Sequence, residues 1–230
     1  MRKEIKSAIV WGDSVARGVV FDDQRERYSL SPCNAASIVG EKLGIEIQNR
    51  SRMGMTSGDG VTMMQKDLDR GLRAEVAIIE FGGNDCDFNW KAISEAPDAL
   101  HLPKTSADEY EKNIRSMINK AKSAGMQPIL VNLTPVNVEN YFQFVSRHGL
   151  SQENILRWLG DKFQIYRYQE RYSMIVSRIA RECSCRLLDI RSAFLNVWNC
   201  TTSLFCRDGI HPTAEGQKLI GQSILESISL

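Results

Sequence analysis

The stretch SAIVWGDSVARG, residues 7–18, decides the architecture of this chain. Its first five residues are short, apolar and rich in branched side chains, the pattern of a strand buried on both faces. The next three, Gly12, Asp13 and Ser14, turn polar, and Asp13 and Ser14 are both good helix caps. A strand therefore runs through a tight turn into a helix, and Ser14 stands at the turn. The strand pattern returns at 45–48 (IEIQ), 76–81 (VAIIEF), 128–133 (PILVNL) and 186–190 (RLLDI). Between these segments lie helical periodicities. The clearest covers 108–124, where Tyr110, Ile114, Met117, Ile118 and Ala121 share one face, Ser106 and Glu109 have capping-box spacing, and Gly125 is a stop. Another runs from Ala214 to about Ile228, with Thr213 as its cap and Ile220, Ile224 and Ile228 on its apolar face. Strand and helix in alternation predict an α/β fold. Parallel neighbours need a crossover, and helical crossovers cover both faces of the sheet.

Composition sets the outer bounds. With 230 residues, 43% hydrophobic and 25% charged, one globular domain over 1–230 is expected, at most with a subdomain attached. Lys plus Arg number 29 against 28 Asp plus Glu, a net charge of +1, and no basic run or basic and aromatic stripe occurs; nucleic acid is not an expected partner. The opening MRKEIKSAIVWGDS runs too quickly into polar residues for a secretory signal, and no window approaches a membrane span, so the expectation is a cytoplasmic chain without membrane insertion. Six cysteines then read as reduced thiols. Cys183, Cys185, Cys200 and Cys206, with His211, lack the paired two-to-four-residue gaps of a zinc site, so no metal is expected.

One segment breaks the rhythm. Residues 136–172 hold eight of the chain's 18 aromatic residues. Following the fourth strand, such an excursion forms a lid or wall of a ligand cleft, or else a satellite core or the contact of a homo-oligomer.

In a doubly wound sheet, ligands sit beyond the carboxyl ends of the strands, near the point where strand order reverses. Ser14 is placed to project there, as a nucleophile beside the N–H groups of a helix's first turn, or as a plain cap. Near the C-terminus, RDGIHPTAEG puts Asp208 and His211 three apart ahead of a helix. At that spacing a carboxylate can hold the imidazole's Nδ1–H and leave Nε2 free to take a hydroxyl proton; a local turn is the other reading. After the third strand, EFGGNDCDFNW offers the Asn84 amide, and after the second, NRSRMGMTSGDG offers an unobstructed Gly54 N–H. With the Ser14 N–H these make three donors around a developing oxyanion. All four stretches end strands or begin helices on one edge of one sheet. Asp85 reads as a buried turn residue or hydrogen-bond anchor, and Arg17 as solvated.

These residues, Gly12-Asp13-Ser14, Gly54, Gly82-Gly83-Asn84-Asp85 and Asp208-Gly209-Ile210-His211-Pro212, occur in the order and spacing of the SGNH hydrolases, the GDSL-type esterases and lipases, which the chain resembles over nearly its whole length. The resemblance implies a flavodoxin-like three-layer α/β/α sandwich with a central parallel sheet of about five strands. It also implies Ser14 as nucleophile, His211 as base, Asp208 as its partner, and Ser14, Gly54 and Asn84 as the oxyanion hole. No cofactor is implied, and the substrate would be a small-molecule ester. Residues 136–172 and the 87–105 loop have no fixed counterpart in that family. Phe88, Trp90, Tyr141 and Phe142 are the residues expected to shape the substrate pocket.

Overall fold

Strand β1 (Ser7–Gly12) sets the two faces of the sheet, because successive side chains point to opposite sides: Ile9 and Trp11 enter one core and Ala8 the other. The structure is a computed structural model that describes residues 5–229. After β1 come a one-turn helix α1 (Ser14–Arg17) and a hairpin of β2 (Val19–Asp22) and β3 (Arg27–Leu30). The alternation then runs α2 (Ala35–Leu43), β4 (Glu46–Asn49), α3 (Ser57–Asp69), β5 (Val76–Glu80), α4 (Trp90–Glu95), α5 (Ala107–Ser123) and β6 (Gln127–Val131). Helices α6 (Val138–Val145), α7 (Gln152–Leu159) and α8 (Gln164–Glu182) lead to β7 (Arg186–Leu188), α9 (Ile190–Leu195), α10 (Cys200–Ser203) and α11 (Ala214–Ser229).

The main sheet has five strands in the order β4-β1-β5-β6-β7, all parallel, with Val10 opposite both Asn49 and Ile78. Strand order reverses between β1 and β5, the place where a doubly wound sheet opens its crevice. One layer is α3, α5 and α8: Met64, Ile114, Met117, Tyr172 and Ile179 are buried against Ile9, Trp11 and Ile79. The opposite layer is α2, α9 and α11, with Phe194, Leu204 and Ile220 packed on Ala8, Val131 and Leu188. Each fully buried isoleucine there contributes about 2 kcal/mol. This is the expected α/β/α sandwich, and Ser106 and Thr213 accept from Glu109 N and Gly216 N as helix caps.

Three differences from the sequence reading affect the site. The helix after Ser14 is a single turn, closed by Gly18 at φ 79°, where a Cβ would lie 2.3 Å from Asn34 Cβ. The β2–β3 hairpin that follows was not predicted, since its residues alternate weakly and its pairing is tertiary in effect. Residues 136–172 do not form one unit. Residues 136–163 carry α6 and α7, whereas Gln164 to Tyr172 are the first half of α8, whose Tyr172 is buried in the main core. The aromatic count alone could not separate the excursion from the crossover helix behind it.

Candidate active site

Asp13 accepts from Val15 N (2.8 Å), which starts α1 at Ser14 and lifts that hydroxyl above the end of β1. Across the crevice, the turn 208–211 is folded by its own aspartate: Asp208 Oδ1 accepts from Ile210 N (3.2 Å) and His211 N (3.1 Å). Its other oxygen accepts from His211 Nδ1 at 2.5 Å, which leaves Nε2 to accept from Ser14 Oγ at 2.8 Å. Asp208 is 0% and His211 3% exposed, so this relay lies out of bulk water. A hydroxyl bonded to an imidazole that is held by a buried carboxylate is the arrangement that activates a serine.

Gly54 and Asn84 line the same cavity as Ser14. Gly54 has φ 79°, the left-handed region that favours glycine, and among the described residues neither its N–H nor that of Ser14 donates to a protein acceptor. The Asn84 amide is held: Nδ2 donates to Met55 O (3.0 Å) and Asp13 Oδ2 (3.3 Å). Asp85 is 0% exposed and accepts from Ser57 N (3.0 Å) and Ser57 Oγ (2.6 Å), tying the turn after β5 to the start of α3. That is the anchor role expected of it.

A second carboxylate was missed in the sequence. Glu80, the last residue of β5, is 4% exposed and accepts from Ala16 N (3.3 Å) and more weakly from Asp13 N (3.5 Å). It also hydrogen-bonds the Asp13 side chain. Burial first, then the Asp13 charge, pushes Glu80 well above the usual carboxyl range, and burial raises Asp13 to about 6. Both shifts favour a carboxyl proton shared between Asp13 and Glu80, next to Ser14. The apolar run at 76–81 marks a buried strand but does not show what its one glutamate meets.

The cavity has a volume of about 480 Å³, within the range of small-molecule sites. Phe88, Trp90 and Tyr141 line it as expected, joined by Trp158, Ile165 and Tyr168. Phe142 does not line it; it is buried in the satellite core behind, with Ile93 and Ile155. On α6 the two neighbours point different ways, and only Tyr141 faces the crevice. Asp87, unremarked in the sequence, joins this wall together by accepting from Trp90 Nε1 (2.8 Å), Lys104 Nζ (2.8 Å) and the Tyr141 hydroxyl. On the other side, the hairpin places Tyr28 edge-on to His211, ring centroids 5.1 Å apart. Burial, then the Asp208 charge, raises its phenol.

All six cysteines are free, and among the described residues no three His, Cys, Asp or Glu side chains group as a metal site. No described helix is long and apolar enough to cross a membrane.

Comparison with known proteins agrees with this geometry. The model of the GDSL-like lipase/acylhydrolase family matches residues 10–219. The isoamyl acetate-hydrolyzing esterase of Saccharomyces cerevisiae is 24% identical over 227 residues, covering 96% of this chain and 84% of the yeast protein. In fold, a lipase/acylhydrolase from Enterococcus faecalis is similar with a TM-score of 0.66 at 17% identity, covering 97% of this chain and 95% of its own. A catalytic mutant of an acetylxylan esterase from Geobacillus stearothermophilus gives 0.65 at 19%, covering 98% and 94%. A five-stranded parallel sheet with a serine, a histidine and an aspartate joined at its switch point, matched over nearly its whole length, means that this chain belongs to the GDSL-like lipase/acylhydrolase family of carboxylic ester hydrolases.

Proposed function

We propose that Ser14, His211 and Asp208 carry the hydrolysis of a short-chain carboxylic ester through an acyl-enzyme. The observation that supports this most directly is the hydrogen bond from Ser14 Oγ to His211 Nε2. In the first half-reaction the Ser14 oxygen attacks the ester carbonyl while its proton passes to Nε2. Asp208 holds Nδ1–H and stabilises the imidazolium. The carbonyl oxygen, now anionic, is received by the Ser14 and Gly54 N–H groups and the Asn84 amide, and collapse expels the alcohol, which takes the proton back from His211. Water repeats the cycle on the acyl group and frees Ser14.

A cavity walled by Phe88, Trp90, Tyr141 and Trp158 favours a hydrocarbon group of modest length. The yeast relative is named for hydrolysing an acetate, a short-chain ester of the kind proposed. An O-acetylated carbohydrate is the second reading, supported by aromatic faces suited to stacking and by the Asp87 and Gln169 side chains at the cavity wall. Purified protein is assayed on p-nitrophenyl acetate, butyrate and octanoate beside Ser14→Ala, with alkyl acetates and acetylated sugars as the competing panel. The expected outcome is a loss of roughly 10³-fold or more in kcat on substitution, and faster turnover of alkyl esters than of sugar acetates. Undiminished turnover by Ser14→Ala would remove the assignment.

A further inference from the structure

The crevice does not end at Tyr28. Beyond it lies a groove of about 430 Å³ that shares Tyr28 and Met53 with the cavity holding Ser14, so the two are neighbours on either side of those side chains. Its walls are cationic. Arg17, Arg50 and Arg52 line it, and no carboxylate does. Arg50 is committed elsewhere: its Nε and Nη2 donate to Asp67 Oδ2 (2.9 Å) and Oδ1 (2.6 Å). Arg17 and Arg52 are not neutralised. Arg17, half-buried rather than fully solvated as the sequence reads, donates only to a carbonyl, Asn49 O (3.3 Å). Arg52 is exposed, and among the described residues neither guanidinium meets a carboxylate.

In a chain of net charge +1, two unpaired guanidinium groups beside a reaction centre are a local feature and not the average of the surface. They stand on different elements, Arg17 at the end of α1 and Arg52 in the loop after β4, and converge only through the sheet. Guanidinium is the side chain best matched to planar and tetrahedral oxyanions. The direction follows from Tyr28. Its ring packs on His211, the group that returns a proton to the leaving oxygen, so the alcohol half of a bound ester is the half that passes Tyr28 into the groove.

Resting on the esterase reading above, we propose that the substrate is an ester whose alcohol half carries a carboxylate or phosphate, held by Arg17 and Arg52, while its acyl chain fills the aromatic cavity. The enzyme thus reads both halves of the ester. A neutral alkyl ester satisfies the first site and leaves the second unused.

The test compares kcat/KM for the butanoyl ester of a hydroxyhexanoate with that of its neutral N-methylamide. A parallel arm carries a terminal phosphate in place of the carboxylate and identifies which oxyanion is preferred. The expected preference for the anionic ester is about ten-fold or more, declining with added salt. Arg52→Ala and Arg17→Ala each move the ratio toward one, and Arg52→Glu carries it below one. A ratio of one in the parent enzyme, or a ratio none of these substitutions alters, would overturn the proposal. Calorimetry on Ser14→Ala measures binding of the anionic ester without turnover. Arginine-dependent binding in an enzyme that hydrolyses no ester would defeat the esterase reading and leave the anion site standing. Hydrolysis of both esters with no preference for charge would do the reverse.

Discussion

At the residue scale, the site depends on which hydrogen-bonding groups are already committed. Asn84 stands at the crevice with both Nδ2 hydrogens on protein acceptors, Met55 O at 3.0 Å and Asp13 Oδ2 at 3.3 Å, so receiving an oxyanion requires it to give up the longer of the two while the other keeps it oriented. Asn84→Ala is expected to lower kcat by about 10²–10³-fold, the usual cost of one oxyanion donor, with much less change in KM. Steady-state kinetics on p-nitrophenyl butyrate check it. The Asp13–Glu80 pair makes a separate prediction about pH. Both carboxyls are raised above their unfolded values, Asp13 to about 6, so the folded chain keeps protons that the unfolded chain has lost. Their contribution to stability is full below about pH 4 and is lost as pH rises through about 6 and above. Glu80→Gln still donates to Asp13 but no longer titrates. Its Tm relative to the parent should therefore improve as pH increases across that window; a difference level with pH would show that no proton is shared there.

At the element scale, the excursion after β6 is braced on the turn that carries His211. Asn137 N donates to Gly209 O (2.9 Å), and Gly209, at φ 79°, has no room for a Cβ, which would lie 2.5 Å from both Asn137 O and Tyr141 N. Gly209→Ala is expected to cost about 1–3 kcal/mol in stability through backbone strain. It should also lower kcat by ~10²-fold if the turn shifts by an ångström. Thermal unfolding and kinetics on the same preparation read both. The aromatic wall on the same excursion is softer to change. Trp158→Ala enlarges the cavity that this ring lines, and the ratio of octanoate to acetate turnover should rise roughly ten-fold. These elements were unequally legible. Helices α5 and α11 could be read from spacing because their apolar faces repeat every turn. Tyr28 could not, because the β2–β3 hairpin is held by packing such as Phe21 on Tyr28 and Phe144, residues more than a hundred positions apart in the last pair.

At the scale of the whole molecule, the two helical layers bury the thiols unequally. Cys33 is exposed, whereas Cys86, Cys200 and Cys206 are buried. Under excess thiol reagent, Cys33 should be modified in the native state and the buried three only as the chain opens, which mass spectrometry of timed samples resolves. Early labelling of Cys206 would mean that the 205–212 turn, and His211 with it, opens independently. The sequence by itself determined the five strands, helices α5 and α11, the alternation that implies helical crossovers, and the turns bearing Ser14, Asn84 and Asp208 with His211. Those features are written in local periodicity, in caps and in a three-residue spacing that folds on itself. Only the tertiary structure decided that Glu80 turns in beneath Ser14, that Tyr141 lines the cavity while Phe142 does not, and that Arg17 and Arg52 face one groove. Each of those depends on which side chains from distant segments meet across the sheet, and burial and charge at such a meeting belong to the assembled fold rather than to any one stretch of chain.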